Sequence, residues 1–486
     1  MRRAILIIDF DSYKVQAKVI EEETGISLCS FRSRFDLIHP KENYLEADPE
    51  RIWNVSCDCV RMVRQMIGSE AEICALSFSF TGEGLFVLDS DGNPLINEIL
   101  LADKRAVNEG RELQAKFTTP TARFSHLAVA SKVLYLKRNC PEIFDRAKMF
   151  VSLQQFILMK LGLEPVWDRT MASCHSFYGM RLGDWKPEVV EAAGITKDRL
   201  GGRILNSYEV IGTVRKYGDV EFGRAVNVIP GGHDGDIGML GLGITDPSAE
   251  AIGEVAGSYD HVGFITKVDV SKLDSLHRHP GPYDGTCVVM KAYPEYYSVA
   301  KWFMREIVGK PTDAGFEEMW AASEFDGKTT LVHMDPHFHD GKGAFFGLNI
   351  NLTKHDMFKS MMEALTFENR RLIESVIDDS NQTCTSVRIG GDAASSDAWM
   401  QLKADVSGLT VSRMINNDIS AVGASILAAY GSGTYESIDE AITTMTSVRD
   451  THWPDMTRHA RYNKLYRNYL SRYPHPDNNV NPWRYV

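Results

Sequence analysis

No apolar run in the 486-residue chain approaches the roughly 20 residues that a membrane-crossing helix needs. A helical membrane span is therefore not expected. Met1-Arg2-Arg3 followed by Ala4 to Ile8 has the beginnings of a secretory leader, but Asp9 and Asp11 interrupt it too soon. Cytoplasm is the default expectation. The sequence also lacks basic excess: 53 Lys and Arg against 65 Asp and Glu leave a net charge of −12. That argues against nucleic acid as a main partner. A bound polyanion would need a local site of backbone N–H groups, a metal ion or a few selected cations. The eight cysteines include no CxxC pair, so they read as reduced and mostly buried thiols. Low-complexity segments and short repeats are missing too. What remains, 44% hydrophobic and 24% charged residues, describes an ordinary globular chain of two to four domains.

Ile5 to Ile8 read as a buried strand, Asp9 to Tyr13 as a polar corner, and the alternation of Val15, Ala17 and Val19 with Lys14, Gln16 and Lys18 as a half-exposed partner strand. Asp48 and Pro49 look like the N-cap and first residue of a helix whose apolar face carries Ile52, Val55, Cys59, Met62 and Met66. This helical pattern favours packing over metal binding for Cys57 and Cys59. A hairpin is expected from Leu85 to Leu101 around the turn Asp89 to Asn93, and helices from 125 to 165. Asp246, Pro247 and Ser248 suggest a hinge. Beyond it, strands near 250 to 267 and 284 to 292, a long helix over 355 to 377 and a strand at Ser386 to Ile389 repeat the style of the first half. The expectation is two α/β lobes with a cleft between them.

Three polar corners follow short apolar strands: Asp9 to Ser12, Gly231 to Gly238 and Gly390 to Ser396. Such corners let backbone N–H groups approach a phosphate. Spread over both halves, they favour a nucleotide or sugar phosphate in the cleft.

The segment Gly343 to Leu348, then seven residues, then Asp356 to Glu363 resembles the second signature of the FGGY carbohydrate kinases. Gly390-Gly391-Asp392, Gln401 to Leu409 and Val422-Gly423-Ala424 resemble the adenine-site region of that family. Gly232-His233-Asp234-Gly235 resembles the segment that holds its catalytic aspartate, and Ile99 to Arg105 its W-x-D-x-R segment. Thr81 to Gly84 resembles a stretch whose Glu touches acceptor hydroxyls in some members. Asp168 to Ser173 and Asp184-Trp185 also fall at family positions. The resemblance implies two actin-like, ribonuclease H-like lobes with a central cleft: residues 1–245 for the acceptor sugar and the base, residues 246–486 for ATP. It further implies ATP and Mg²⁺ as cofactors and a small sugar, ketose or polyol as substrate; a homodimer would be unsurprising.

On that basis Asp234 is the expected general base, and on chemical grounds a carboxylate on a rigid corner suits that task. Capping the helix that begins near Gly238 is the competing role, which fits Asp236 better. Asp9 is the expected Mg²⁺ ligand, directly or through water. Ser12, Lys14, Gly257, Ser258, Gly390, Gly391 and Asp392 complete the expected nucleotide site. Glu83 and Asp103, together with Asp234, are expected on the acceptor, with ordinary surface carboxylates the alternative for the first two and Arg105 a partner for Asp103.

Four departures stand out. Asp11 and Asp392 occupy positions where the family has glycine, Leu101 replaces a Trp, and Ala256 to Tyr259 match the family's phosphate corner only loosely. Asp11 and Asp392 therefore support a second hypothesis, an impaired kinase-like protein that binds sugar or nucleotide. Asp11 could instead be a second metal ligand, with Lys14 offsetting phosphate charge. His333, Asp335, His337, His339 and Asp340 raise a third, a metal hydrolase, although Pro336 and Gly341 mark that stretch as a loop whose histidines face solvent or substrate.

Overall fold

The computed structural model describes residues 2–117, 124–180, 182–245, 250–257, 259–267, 277–293, 296–327, 333–339, 342–380 and 383–472. The first sheet is built from β1 (Arg2–Asp11), β2 (Lys14–Glu21), β3 (Ser27–Arg34), β4 (Ala71–Phe80), β5 (Gly212–Tyr217), β6 (Val220–Val228) and the two-residue β7 (Gly232–His233). Its order is β5-β6-β4-β1-β2-β3, with β7 beside β4. The meander β1-β2-β3 is antiparallel, whereas β4 runs parallel to both β1 and β6.

The second sheet repeats this plan. It comprises β8 (Ala251–Ala256), β9 (Asp260–Thr266), β10 (His277–Pro280), β11 (Cys287–Tyr293), β12 (Ser386–Gly390), β13 (Thr410–Met414) and β14 (Val448–His452), in the order β10-β11-β9-β8-β12-β13-β14. Here β8-β9-β11 is the antiparallel meander, and β12 and β13 are the parallel additions. The chain therefore has two α/β lobes of one topology. The expected hinge at Asp246 to Ser248 lies outside the described residues.

Alternation along β1 divides the core. Leu6, Ile8 and Phe10 face the first lobe's own interior, with helix α1 (Pro49–Ile67), while Ile5 and Ile7 join a core shared with the second lobe. Asp48 caps α1 as expected, accepting from the N–H groups of Glu50 and Arg51. The half-exposed reading of β2 does not hold. Its Ile20 and Lys18 lie on the face covered by helix α6 (Ile419–Gly431) of the second lobe, and Lys18 is buried in an ion pair with Asp418 at 2.9 Å.

The remaining helices that shape the cleft are α2 (Arg169–Cys174), α3 (Asp234–Gly241), α4 (Lys354–Ser380) and α5 (Asp397–Ser407). Helices α3 and α6 cross so closely that a Cβ on Gly423 would lie 1.9 Å from the carbonyl oxygen of Ile237. Any side chain there would displace α3, whose first residue is Asp234. In the second lobe's core, Lys403 of α5 pairs with Glu254 of β8 and donates to the Tyr296 hydroxyl at 2.8 Å, with both charged side chains buried.

Two local expectations change. The 125–165 region holds three helices, Val129–Asn139, Pro141–Arg146 and Leu153–Lys160, with a strand at Met149–Val151 between the last two. That strand pairs with Phe86–Leu88, which also keep the expected hairpin, Leu85 bridging Ile99 and Leu88 bridging Pro94. The Asp89 turn persists, its carboxylate accepting from the N–H groups of Asp91 and Asn93. Residues His333–His339 form a strand antiparallel to Lys342–Phe346, not a loop. Asp340 and Gly341 lie outside the described residues.

Candidate active site

The cleft is lined where β1, β7 and β12 end. Asp9 sits on β1 in register with Ser79 of β4. Burial raises its carboxyl well above the ordinary range, and Asp418, Asp11 and Asp234 push in the same direction. Four carboxylates thus share one electrostatic neighbourhood at the lobe junction. Two carry compensation: Asp418 has Lys18, and Asp11 lies 3.2 Å from the Lys14 ammonium. Among the described residues Asp9 has no such cationic partner, and its carboxylate oxygens are of the kind that suit a hard divalent cation. Ser12 closes the corner, its N–H donating to Asp11 Oδ1 at 2.6 Å.

Lys14 also reaches across the cleft to Asp392, at 3.7 Å. The two aspartates that stand in place of glycine therefore face the same lysine, which is charged more firmly than usual because Asp11, Asp392 and Asp9 outweigh its burial. Neither position requires glycine's backbone freedom. Among the described residues only Asn43, Glu83 and Glu250 are non-glycine residues with positive φ. The glycine requirement falls one residue earlier, on Gly391, with φ 113° and a would-be Cβ 2.3 Å from the Ala256 carbonyl oxygen. Gly390 ends β12, and Gly257 turns between β8 and β9 with its N–H on the Tyr259 carbonyl at 2.9 Å. Ser258 lies outside the described residues.

Asp234 opens α3. Its Oδ1 accepts from the Gly235 N–H at 2.6 Å and lies 3.3 Å from His233 Nε2. Burial raises its carboxyl, with His233 opposing and Asp11 adding to the rise. The backbone is fixed from both lobes: the His233 N–H donates to Thr170 Oγ1 at 2.9 Å, and Ser420 Oγ of α6 donates to the Asp234 carbonyl at 3.0 Å. Thr170 is in turn held by Asp168, the fully buried N-cap of α2. Asp236 does not cap its helix as expected, because its Oδ2 is taken by the imidazoles of His233 and His279 at 3.1 and 3.0 Å.

On the acceptor side Glu83 has φ 64°, a left-handed conformation that a residue with a Cβ adopts at a cost. Its carbonyl accepts from Lys132 Nζ at 2.8 Å, and burial raises its carboxyl against the fields of Lys132, His233 and His279. Asp103 is placed differently from the expectation of direct acceptor contact. It is fully buried, its Oδ1 accepts from the N–H and Nε of Arg105, and its Oδ2 accepts from Leu45 N–H and Arg105 Nη2. It locks the segment rather than presenting free oxygens.

The chain matches the FGGY family of carbohydrate kinases over both of its domains, the N-terminal domain at residues 4–241 and the C-terminal domain at 262–432. The chain belongs to this family. Among curated relatives, an autoinducer-2 kinase of Escherichia coli (strain SMS-3-5 / SECEC) is 24% identical over 455 residues, covering 86% of this chain and 84% of the relative. A xylulose kinase of Bacillus subtilis (strain 168) is 22% identical over 490 residues, covering 97% of each. In fold, the chain is similar to a ligand-bound xylulose kinase from Lactobacillus acidophilus (TM-score 0.82, 20% identity, 96% and 98% of the two chains covered). It is also similar to Plasmodium falciparum glycerol kinase with ADP (TM-score 0.81, 15% identity, 98% and 99% covered).

As an FGGY carbohydrate kinase, the protein is an ATP-dependent phosphotransferase with two actin-like lobes. The two halves of the second FGGY signature differ: Phe358, Met361 and Met362 of α4 are fully buried, whereas Phe346 and Leu348 are exposed. Sequence reasoning missed Lys18, Asp418, Lys132 and Glu98. Their signal was weak but present, since Lys132 and Glu98 are lone charges in apolar stretches. Glu98 touches the position of a Gly84 side chain, and burial raises its carboxyl to about 8. Among the described residues no helix is long and apolar enough to cross a membrane.

Proposed function

We propose that the protein transfers the terminal phosphoryl group of Mg-ATP to a hydroxyl of a small ketose, sugar or polyol in the cytoplasm, with Asp234 as general base. The observation that carries this reading is the convergence at the lobe junction of Asp234, fixed from both sides, with Asp9 and the Lys14 bridge. Residues 1–245 would form the acceptor lobe and 246–486 the nucleotide lobe. Asp234 accepts the acceptor hydroxyl's proton as the oxygen attacks in line. Glu83 orients acceptor hydroxyls, and Asp103 positions the wall through Arg105. The corners at Ser12, Gly257, Ser258 and Gly390 to Asp392 receive the nucleotide, and Lys14 turns from Asp392 to a phosphate. Asp9 holds Mg²⁺ directly or through water; the ion, when bound, neutralises charge on the phosphates. Lobe closure excludes water so that the acceptor is attacked in preference to it.

The compensation of Asp11 and Asp392 by Lys14 supports an active enzyme over an impaired binding protein. Acceptor choice rests on a few pocket hydrogen bonds, so the test is a panel: xylulose-like ketoses, glycerol, erythritol-like polyols, deoxysugars and a linear dihydroxyketone, each with Mg-ATP and coupled ADP detection. Acceptor-dependent ADP release is expected with at least one class. No turnover with any acceptor, together with no nucleotide binding, would refute the proposal.

A further inference from the structure

Behind Asp234 lies a second group of side chains with a different chemistry. Cys174 ends α2, His233 and Asp236 bracket Asp234 at the start of α3, and His279 comes from β10, the edge strand of the second sheet. One donor atom from each of the four lies within 4.8 Å of every other. Asp236 is wholly buried: its Oδ2 stands between His233 Nδ1 at 3.1 Å and His279 Nδ1 at 3.0 Å, and its Oδ1 has no hydrogen-bond partner among the described residues. The Cys174 thiol is buried against His233. His261 of β9 lies behind the group, where burial first, and then the charge of His233, lowers its imidazole to about 3.

An aspartate between two imidazoles needs no metal to be stable. That bland arrangement, however, leaves one buried oxygen unpaired and explains nothing about a thiol in the same pocket. A thiolate, two imidazoles and a carboxylate are four ligands of the three kinds that bind zinc, enough for a tetrahedral site, with softness suited to zinc rather than magnesium.

We propose that Cys174, His233, Asp236 and His279 form a binding site for one divalent transition metal of zinc's chemistry, tying the first lobe to the edge of the second sheet directly behind Asp234. Uptake of the ion releases the Cys174 thiol proton, and each imidazole meets the ion through an unprotonated Nδ1, its remaining ring proton on Nε2. With Nδ1 on the metal, His233 carries its proton on Nε2, 3.3 Å from Asp234 Oδ1, which is the carboxylate–histidine–metal arrangement that fixes ring orientation. The site is separate from the Mg²⁺ position expected at Asp9, and its occupancy does not depend on the kinase reading.

The test uses the full-length protein, stripped with a chelator and titrated with Co²⁺ alone. One equivalent should bind with tetrahedral ligand-field absorption and a thiolate-to-cobalt charge-transfer band, and Zn²⁺ should displace it. Cys174→Ser should remove the charge-transfer band, and both Cys174→Ser and His279→Gln should weaken binding by more than about tenfold, the lower range found for loss of mere supporting groups. Replacing His337 and His339 should change neither the spectrum nor the affinity. Octahedral cobalt, less than one equivalent bound, or equal binding in both ligand variants would overturn the proposal. If one variant fails to fold by circular dichroism, the wild-type spectrum and the other variant decide.

Discussion

Replacing Asp234 by Asn removes the proposed base while leaving its surroundings nearly intact. The amide keeps the side chain's size, and its oxygen can still accept from the Gly235 N–H that now sits 2.6 Å from Oδ1. The backbone anchors do not depend on the side chain's charge, since Ser420 donates to the Asp234 carbonyl and Thr170 receives the His233 N–H. General-base catalysis is worth roughly 10² to 10⁴ in rate, or about 3 to 5 kcal/mol of barrier. The expected result is a fall of about that size in kcat, with KM for ATP and acceptor changed by no more than about threefold, because the lost interaction is made in the transition state. Steady-state kinetics with the preferred acceptor, alongside a thermal melt to confirm folding, provides the assay. A kcat within tenfold of wild type would refute the assignment, and a large rise in both KM values with kcat preserved would reassign Asp234 to binding.

Asp392→Asn should tighten ATP binding about fivefold by releasing Lys14 from the farther of its two carboxylates, leaving only Asp11; the gain is held near 1 kcal/mol because Asp392 is more than half exposed, and isothermal titration with Mg-ATP reads it directly. Weaker binding would show that Asp392 recruits the nucleotide. Lys403→Met should lower thermal stability by about 3 to 5 kcal/mol by leaving Glu254 buried and unpaired, measured by calorimetry, whereas an unchanged melting temperature would mean that Glu254 finds another partner. Burial raises Glu98 to about 8, so the folded chain retains a proton that the unfolded chain loses above its ordinary 4.5. Its contribution is full below pH 4.5 and declines by at most about 1.4 kcal/mol per unit as pH rises to 8. Lys132, lowered by its burial to about 8, works oppositely, adding stability from pH 8 to 10.5. Glu98→Gln should flatten the loss of melting temperature between pH 5 and 8, and a slope identical to wild type would exclude Glu98 as its source.

The fold was legible where local pattern and burial agree. Ile5 to Ile8, the Asp48 cap and the Ser386 strand all carry signals that later packing leaves intact. Lys18 was misread because alternation reports a strand's two faces but not what covers them, and here a helix more than 400 residues downstream covers the charged one. His333 to His339 alternate with Met334, Pro336 and Phe338 at period 2, a strand signal that Pro336 and Gly341 obscured. In the candidate site, Asp234 and Asp9 were singled out by motif position. The lock on Asp103 and the bridge from Lys14 to Asp392 were not, because partners at such separations are set by topology. Asp236 shows the limit most plainly: its place on a first helical turn suggested a cap, but His279 arrives from the other sheet and claims its carboxylate.

The central claim, phosphoryl transfer from ATP to an acceptor hydroxyl, is tested most directly by following the terminal phosphorus of ATP by ³¹P NMR in the presence of the acceptor panel. The account predicts a phosphomonoester of one acceptor class appearing in equal amount with ADP, and no such ester with Asp234→Asn. Phosphorus that leaves ATP only as inorganic phosphate, or remains on ATP with every acceptor, would contradict it.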